Sequence, residues 1–574
     1  MSDAEQRLRP AAAPPGPPAE LTLAQQRQLV QALVDGLGRG GKSPRHVETH
    51  ISHVLLHEGH AYKIKKALSN SFLDQSTLAL RRAACHEELR LNRRTEPQLY
   101  LGVVPITGTP DRPVLGGDGP PLELAVQMRA FDESGLWDRL AARGALRTED
   151  VDALAARLAD LHARAAVAPA GGWFGAPEQV RLSLRDSLRD LQAPADDAAW
   201  PGADDRQSLA LLQCWEAERF LRLEPVLRQR LADGRVREGH GDLHLGNVAR
   251  EGGRCLVFDG IEFNAAFRWI DVMSDAAFMA MDLLAHRLPG LAHRFVNAYL
   301  EHGGDYGGMR VLDYYLVHRA LVRAKVARLR AAQAPGGTCD EARAAGHRYV
   351  QLAAQLAAPR PRALLITHGL SGSGKTTLTQ GLLQTLGAVR VRSDVERKRL
   401  AGLAAEQHSR SLPGGGLYGP AAGAATYGRL LEAAAAVLEG GWPVILDATF
   451  LRHADRVAAR QLAGRLGVPF AILHFTAAPA VLRQRVLQRA ALASDASEAD
   501  ETVLWLQSQT QEPLRPDELP LVHAVRAESR PGAAPRADWA PVLARLGLAS
   551  APAAPAVPDP ASATAAPARA AGQA

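Results

Sequence analysis

The sequence has little of what marks secreted, membrane or disulfide-bonded proteins. Its four cysteines, Cys85, Cys214, Cys255 and Cys339, lie far apart, and none has the paired spacing of a zinc site or a disulfide framework. Sparse cysteine favours a reducing compartment, and the amino-terminal MSDAEQRLRPAAAPPGPPAE has no apolar segment typical of a signal peptide. No apolar run is long enough to span a bilayer. We therefore expect a cytoplasmic protein with no membrane partner.

Aromatic residues and excess charge are also scarce. Phe, Trp and Tyr make up 5% of the chain, and the net charge is only +6 over 574 residues. Such a charge permits anionic substrates such as nucleotides but does not require nucleic acid, and no basic, aromatic groove for a single strand is evident. The chain is too long for one hydrophobic core, so two or more domains are expected.

The most specific motif is GLSGSGKT at residues 369–376, which fits the phosphate-binding pattern G-x-x-x-x-G-K-[ST]. An apolar run at 363–367 predicts a strand before it, and spaced leucines predict a helix after it. Lys375 would reach the β- and γ-phosphates, and the Thr376 hydroxyl would bind Mg²⁺. A glycine-rich loop that matches by chance is the alternative. The predicted nucleotide-binding residues here are Gly369, Ser371, Gly372, Ser373, Gly374, Lys375, Thr376 and Thr377.

Two aspartates follow predicted strands near this motif. Val389–Arg392 alternates like a strand and is followed by Asp394, which suits a general base for an acceptor hydroxyl. Arg397, about one helical turn further on, suits a phosphate on the acceptor. The alternative is a helix N-cap aspartate with a surface arginine. Val444–Asp447 is a second such strand, with Asp447 either near Mg²⁺ or facing the acceptor.

A basic helix completes the motifs of this half of the chain. A third strand is predicted at 470–475, and Pro479 then begins a helix that bears Arg485 and Arg489 on one face. These arginines precede a polar stretch, 494–500, which suits a mobile lid, and they would stabilise charge on the nucleotide phosphates. A solvated basic face is the alternative.

A second constellation lies in the first half of the chain. Residues 240–247 read HGDLHLGN and residues 256–260 read LVFDG. Asp242 would accept or orient the proton of an acceptor hydroxyl, while Asn247 and Asp259 would hold Mg²⁺ against nucleotide phosphates. The alternative is a polar turn between two strands, with His240 as a core residue.

The elements predicted around this constellation follow the order of a two-lobed kinase-like domain, with strands and one helix first and mostly helices later. Residues 166–206 are loop-rich and suit a connection or a lid. The predicted helices are 21–37, 76–94, 146–165 and 207–233, and the predicted strands are two within 50–66, then 99–106 and 122–128.

Residues from about 20 to about 350 resemble the aminoglycoside phosphotransferase family of small-molecule kinases. The resemblance makes Asp242 the catalytic base and Asn247 and Asp259 the metal ligands. Lys65 in AYKIKKA best fits the lysine that contacts the α- and β-phosphates, with Lys63 and Lys66 as competing choices. Glu88 would be its ion-pair partner, with Glu87 the competitor.

The sequence departs from protein kinases at several points. Gly241 replaces the arginine of H-R-D, and the chain has no A-P-E segment and no G-x-G-x-x-G between its first two strands. A protein kinase is therefore not expected. No specific aminoglycoside pocket is evident either, so the resemblance does not imply drug resistance.

The second half, about residues 361–545, resembles the kinase branch of P-loop proteins. G-x-x-x-x-G-K-T, S-D-x-x-R, I-L-D-A-T and paired lid arginines occur together in polynucleotide 5′-hydroxyl kinases, gluconate-kinase-like enzymes and zeta-toxin-like kinases. The resemblance makes Asp394 the base that activates the acceptor and Arg397 a contact to an acceptor phosphate.

These observations predict an α+β two-lobed kinase-like domain followed by an α/β P-loop domain with a parallel sheet. The expected function is a bifunctional kinase that uses ATP and Mg²⁺ at both sites. Its acceptors would be a small-molecule hydroxyl in the first domain and a small molecule or an oligonucleotide 5′-hydroxyl in the second. The alternative is a regulatory protein in which one domain binds ATP and gates the other. The predicted boundaries are 1–18 disordered, 19–356 and 361–546 folded, and 547–574 a disordered tail.

Overall fold

The structure is a computed structural model. It describes residues 20–548 apart from 40, 70–72, 194–199, 201, 334–336, 406, 410–414, 493–495 and 526–536. The segments predicted to be disordered, 1–18 and 547–574, lie outside the described residues except for 547 and 548. Among the described helices, none combines the length and apolar character needed to cross a membrane.

The described residues alternate between strands and helices along most of the chain. The strands are β1 Arg45–Glu48, β2 Ser52–His57, β3 His60–Lys65, β4 Tyr100–Thr109, β5 Arg112–Leu115, β6 Glu123–Arg129, β7 Val236–Glu238, β8 Val248–Glu251, β9 Arg254–Val257, β10 Trp269–Asp271, β11 Leu364–His368, β12 Val389–Arg392, β13 Val444–Asp447, β14 Phe470–Phe475 and β15 Val522–Val525. The helices are α1 Leu23–Gly38, α2 Leu78–Asn92, α3 Trp137–Ala142, α4 Thr148–Arg164, α5 Pro177–Gln192, α6 Ala203–Ala232, α7 Ala265–Arg268, α8 Val272–Ala285, α9 Pro289–Gly303, α10 Met309–Gln333, α11 Gly337–Ala357, α12 Lys375–Leu386, α13 Ser393–Leu400, α14 Pro420–Glu439, α15 His453–Arg465, α16 Pro479–Leu492, α17 Glu501–Thr510 and α18 Ala540–Arg545.

The chain divides into two compact units. Unit 1 comprises Met1–Leu288 and Val311–Ala357, and unit 2 comprises Pro289–Arg310 and Ala358–Ala574. Residues 289–310 therefore group with unit 2, although they lie inside the range 19–356 predicted for the first domain. The first predicted domain otherwise corresponds to unit 1 and the second to unit 2.

Unit 1 begins with a six-stranded antiparallel sheet in the order β1-β2-β3-β6-β4-β5. The turn between β2 and β3 uses Glu58 and Gly59, both with positive φ, which is the backbone conformation of a tight two-residue hairpin. One sheet face packs on α1 through buried aliphatic residues, and Cys85 of α2 packs in a second cluster with Tyr100 and Val126. Helices α3 to α8, α10 and α11 follow, with two short antiparallel strand pairs between them, so the predicted kinase-like order is confirmed.

Residues 166–206 were expected to form a loop-rich connection, and this expectation was wrong for residues 177–192. Pro177–Gln192 forms α5, whose buried side chains include Val180, Leu184, Leu188 and Leu191. These residues are spaced by three or four positions, which is the helical period. Pro177 occupies the first turn, where a proline costs no hydrogen bond. The signal was therefore present in the sequence and was masked by the polar residues around it.

Unit 2 contains a five-stranded parallel sheet in the order β12-β13-β11-β14-β15. The strand that precedes the P-loop, β11, lies in the middle of this order, and its five residues are all buried. Because all strands run parallel, their carboxyl ends meet at one edge of the sheet, where ligands bind in open α/β folds. The predicted α/β P-loop fold is confirmed.

Helix α9 packs beside the edge strand of the unit 2 sheet. The Asn297 side-chain oxygen accepts a hydrogen bond from the Arg390 backbone N–H of β12 at 2.7 Å, and Glu301 pairs with Arg392 at 2.9 Å. An exposed edge strand offers unpaired backbone groups to other chains, so this helix satisfies part of that edge. This contact explains why residues 289–310 group with unit 2.

Candidate active sites

The loop of unit 1 that carries Asp242 follows β7 and is held by a buried aspartate. The Asp275 carboxylate, at the start of α8, accepts hydrogen bonds from the backbone N–H groups of His240 at 2.6 Å and Gly241 at 2.8 Å. Its Oδ2 also lies 3.2 Å from His162 Nε2. Burial alone would raise the pKa of Asp275, but the hydrogen bond with His162 and nearby positive charges lower it to about 2. This role of Asp275 in positioning the loop was not identified from the sequence.

Asp242 and Asn247 meet at the centre of this loop. Asn247 Nδ2 donates to the Asp242 backbone oxygen at 2.9 Å and to its Oδ2 at 3.3 Å. No hydrogen bond to Asn247 Oδ1 is found among the residues that the structure describes, which leaves that oxygen for a cation. Burial opposes ionisation of Asp242, but His244, Arg323 and His240 outweigh it and hold its pKa well below the usual range. The carboxylate is therefore charged at neutral pH.

A lysine joins Asp259 to the helix α2 glutamate. Lys63 Nζ lies 2.9 Å from Glu88 Oε1 and also pairs with Asp259. Burial lowers the pKa of Lys63, but the carboxylates of Asp259 and Glu88 outweigh it and keep the pKa above its ordinary value. Asp259 has a φ of 64°, a left-handed conformation that is rare outside glycine and that often occurs at functional sites.

The competing lysines have other partners. Lys65 Nζ is completely buried between Glu88 and Glu262, and Lys66 pairs with Glu48 at 2.7 Å. Sequence reasoning preferred Lys65 as the phosphate-contacting lysine and left Lys63 open. Because Lys63 alone of the three pairs with Asp259, the geometry favours Lys63. Glu88 is the shared partner, as the sequence indicated, whereas Glu87 pairs with Arg90 and Arg268.

The P-loop of unit 2 is shaped by three glycines. Gly369, Gly372 and Gly374 have φ values of 144°, 81° and 90°. A Cβ atom on Gly369 would lie 2.4 Å from the Phe475 backbone oxygen, and one on Gly372 would lie 2.8 Å from the Leu482 backbone oxygen. Only glycine fits both the backbone conformation and the space, so the loop can turn its N–H groups inward.

The side chains of the P-loop are arranged for phosphate and a cation. Lys375 Nζ donates to the backbone oxygens of Gly369 at 3.0 Å and Leu370 at 2.9 Å. Burial lowers the pKa of Lys375 to about 8, although Asp447 and Asp394 partly oppose this. Thr376 Oγ1 donates to Asp447 Oδ2 at 2.6 Å, which brings together two oxygens suited to Mg²⁺. The sequence left open whether Asp447 lies near Mg²⁺ or faces the acceptor. This contact favours the position near Mg²⁺.

The P-loop fits a nucleotide phosphate by an independent measure. The Ser373 hydroxyl is buried and has no hydrogen-bond partner among the described residues. A buried polar group without a partner is costly, and a phosphate oxygen would satisfy it. The backbone N–H of Ser371 instead donates to Gln507 Oε1 of α17 at 2.9 Å, a contact that no sequence motif indicated.

Asp394 and Arg397 form a pair beside the carboxyl end of β12. Their side chains lie 2.8 Å apart, and the Arg397 guanidinium lies 5.0 Å from the centre of the Tyr418 ring. Asp394 is inside the first turn of α13, and Arg392 occupies the N-cap position without a side-chain cap bond. The alternative of an N-cap aspartate was therefore wrong. The pair remains suited to an acceptor hydroxyl.

The predicted lid arginines lie near the P-loop. Arg485 Nη1 donates to the Gly372 backbone oxygen at 3.3 Å, and the charge of Arg489 contributes to the lowered pKa of Lys375. Arg489 also donates to the Ala499 backbone oxygen at 3.2 Å. Of the predicted lid 494–500, residues 494 and 495 lie outside the described residues. The two arginines thus add positive potential to the P-loop, as the charge of a nucleotide requires.

Comparison with known proteins supports the assignment of unit 2. Residues 364–514 match the family described as AAA domain. Over 450 residues the chain is 29% identical to the uncharacterized protein Rv2004c of Mycobacterium tuberculosis and to the uncharacterized protein Mb2027c of Mycobacterium bovis. Each alignment covers 78% of this chain and 87% of the relative. Because unit 1 has fewer than 450 residues, each alignment extends into both units.

Several solved structures align with part of the chain. A choline/ethanolamine kinase family protein from Mesorhizobium loti aligns over 58% of this chain and 100% of its own, with 11% identity and a TM-score of 0.34. Aminoglycoside 2′-phosphotransferase-IIIa in its GDP complex aligns over 57% and 99%, with 15% identity and a TM-score of 0.34. A gluconokinase from Sinorhizobium meliloti aligns over 29% and 83%, with 19% identity and a TM-score of 0.21.

Proposed function

We propose that the protein is a bifunctional, ATP-dependent phosphotransferase of the cytoplasm. Unit 1 phosphorylates the hydroxyl of a small molecule, and unit 2 phosphorylates a small molecule or a polynucleotide 5′-hydroxyl. The observation that carries the proposal is the meeting of Asp242, Asn247 and Asp259 with the pair formed by Lys63 and Glu88. Residues from four separate segments of unit 1 supply a base, cation ligands and a phosphate-binding lysine.

The residues of unit 1 have different roles in phosphoryl transfer. Asp242 orients the acceptor hydroxyl and receives its proton, while Lys63 positions the nucleotide phosphates and is itself positioned by Glu88. The hydroxyl oxygen forms a bond to the γ-phosphorus, the bond from that phosphorus to its bridging oxygen breaks, and ADP leaves. Mg²⁺, held by Asn247 and Asp259, would neutralise charge on the phosphate oxygens. Catalysis of this kind is mainly positioning and charge stabilisation.

Unit 2 reaches the same chemistry with a different set of groups. The P-loop backbone and Lys375 bind the phosphates, and Thr376 with Asp447 would hold Mg²⁺. Arg485 and Arg489 add positive charge beside the loop, and Asp394 and Arg397 face the acceptor. Both sites therefore combine one lysine, a pair of cation ligands and one carboxylate base.

The test is transfer of the γ-phosphate from labelled ATP by the full-length chain. The acceptors are a metabolite extract and, separately, a 5′-hydroxyl oligonucleotide, and the proteins are wild type, Asp242→Asn and Lys375→Ala. A small-molecule product lost in Asp242→Asn but kept in Lys375→Ala is expected for unit 1. The product of unit 2 should show the reverse pattern. ATP bound by both units without any transfer would contradict the proposal and favour the regulatory alternative.

The two buried lysines of unit 1 provide a finer test. Lys63→Met should raise the KM for ATP by about tenfold or more, because it removes a charge that contacts phosphate. Lys65→Met should mainly lower the free energy of unfolding, because it leaves Glu88 and Glu262 as buried carboxylates with one cation fewer. Steady-state kinetics and urea unfolding separate these outcomes. A larger change in KM for Lys65→Met would return the phosphate role to Lys65.

A further inference from the structure

Helix α10 presents three arginines towards the catalytic loop of unit 1. Arg319, Arg323 and Arg330 are separated by four and seven positions, so they lie within roughly 40° of one another around the helix. We call this surface the α10 arginine face. Arg319 Nη1 donates to the Gly241 backbone oxygen at 3.0 Å, and its guanidinium lies 4.8 Å from the centre of the Phe278 ring. The face therefore begins at the residue that precedes Asp242.

The second arginine is held beside the loop by a chain of hydrogen bonds. Arg323 Nε donates to the Tyr349 hydroxyl at 3.3 Å, and that hydroxyl donates to Asp282 Oδ1 at 2.9 Å. Asp282 Oδ2 in turn accepts the Leu245 backbone N–H at 2.9 Å. Asp282 is thus committed to the loop and to Tyr349. The position of Arg323 is tied to the same loop that carries Asp242.

The charges around the two key carboxylates differ. Burial raises the pKa of Asp242, but His244, Arg323 and His240 outweigh it and lower that pKa. The lowered pKa of Asp259 is due instead to Lys63 and Lys65, again against the effect of burial. Asp242 thus lies within electrostatic range of Arg323, and Asp259 within range of the β3 lysines.

Arg330 is the arginine of this face whose side chain does not stabilise the fold through a hydrogen bond or ion pair with a described residue. It makes no ion pair or hydrogen bond with any residue that the structure describes, and the residue is exposed. Arg330 lies within electrostatic range of both Arg323 and Asp242. An anion between Arg323 and Arg330 would offset the repulsion between the two guanidinium groups.

We propose that the acceptor of unit 1 is an anionic hydroxyl compound, whose carboxylate or phosphate group binds Arg323 and Arg330 while its hydroxyl faces Asp242. This inference rests on the proposed kinase function of unit 1 and specifies its substrate class. Arginine is suited to this role because its planar guanidinium binds carboxylate and phosphate with two parallel hydrogen bonds. The transfer itself is unchanged, since the γ-phosphate moves to the hydroxyl and the proton moves to Asp242.

The experiment uses the full-length chain with Lys375→Ala, which silences unit 2. A metabolite extract is freed of nucleotides with charcoal and separated by anion exchange into a retained, anionic fraction and a flow-through of neutral and cationic compounds. Each fraction is then offered with γ-labelled ATP. Arg323→Gln and Arg330→Gln are compared with Arg328→Gln, which removes the same charge from the opposite side of α10. Treating the anionic fraction with phosphatase distinguishes phosphate monoesters from carboxylates.

Label is expected in the retained fraction only. The half-saturating amount of that fraction should rise about tenfold or more in Arg330→Gln and Arg323→Gln, with the KM for ATP unchanged, and should stay at the control value in Arg328→Gln. Label in the flow-through fraction alone, or a rise in the KM for ATP without a change for the acceptor, would overturn the inference and leave the kinase function standing. No transfer that depends on Asp242 in any fraction would overturn the proposed function and this inference with it.

Discussion

The candidate phosphate sites of the two units are formed by different kinds of groups. Unit 2 makes its site mainly from the backbone of one continuous loop, residues 369–377, in which three glycines have positive φ. Unit 1 makes its site from side chains that come from β3, α2, the loop after β7 and the residues after β9. A backbone site is sensitive to any added atom, whereas a side-chain site is sensitive to the loss of a partner. Substitutions of opposite kinds should therefore damage the two units.

The largest expected effect is that of removing the Asp275 carboxylate, a side-chain partner in unit 1. Asp275→Ala leaves two backbone N–H groups and His162 without their acceptor, so the free energy of unfolding of unit 1 should fall by about 3 kcal/mol. Urea unfolding measures it, and Asp160→Ala on the exposed side of α4 is the control. An unfolding transition equal to that of the control would show that the loop does not depend on this anchor.

Adding one carbon should damage unit 2. In Gly369→Ala the new Cβ meets the Phe475 backbone oxygen, so nucleotide affinity should fall by about tenfold or more. Titration with ADP is compared between a Lys63→Met chain and the same chain with Gly369→Ala, so that unit 1 is weakened equally in both and the difference reports unit 2. Gly381→Ala, inside α12 with no atom closer than 4.0 Å, is the matched control and should raise stability by about 0.5–1 kcal/mol. Retained affinity in Gly369→Ala would mean that the loop backbone moves freely.

The affinity for phosphate should depend on pH in unit 2, which uses Lys375, but not in unit 1, which uses Lys63. Lys375 has a pKa of about 8 because it is buried, whereas Asp259 and Glu88 outweigh burial and keep the pKa of Lys63 high. Above pH 8 the folded chain loses the Lys375 proton that the unfolded chain retains, so the free energy of unfolding rises with pH. The affinity of unit 2 for phosphate falls over the same range, by at most about tenfold per pH unit. ADP titrations between about pH 7.5 and 9.5 should show this fall for unit 2 and none for unit 1. Parallel curves for the two units would contradict the assigned environments.

The smallest expected effect concerns the edge of the unit 2 sheet. Asn297→Ala removes the acceptor for the Arg390 backbone N–H and should lower the free energy of unfolding of unit 2 by about 1 kcal/mol. Gln509→Ala, an exposed amide truncation in the same unit, should change it by less than about 0.5 kcal/mol. Equal values from thermal or urea unfolding would show that α9 does not stabilise the edge strand.

The difference between the units also explains which residues the sequence revealed. The P-loop residues are contiguous, and the strand and helix on either side have clear periodicity, so Gly369 to Thr377 could be assigned directly. Asp242, Asn247 and Asp259 could be assigned because they lie close together in one motif. The choice between Lys63 and Lys65 could not be made, since both residues point to the same face of β3 and differ only in what that face meets.

Sequence periodicity and loop chemistry were enough to determine a kinase-like α+β unit and a parallel P-loop unit, and they supplied the candidate groups for contact with a nucleotide. Local patterns report local backbone geometry, and both motifs depend on it. Tertiary structure alone decided that Asp275 anchors the loop that carries Asp242, that α9 groups with unit 2, and that Arg323 is connected to the same loop through Tyr349 and Asp282. These contacts join residues far apart in the chain, and their energies depend on burial and on partner charges that no single segment contains.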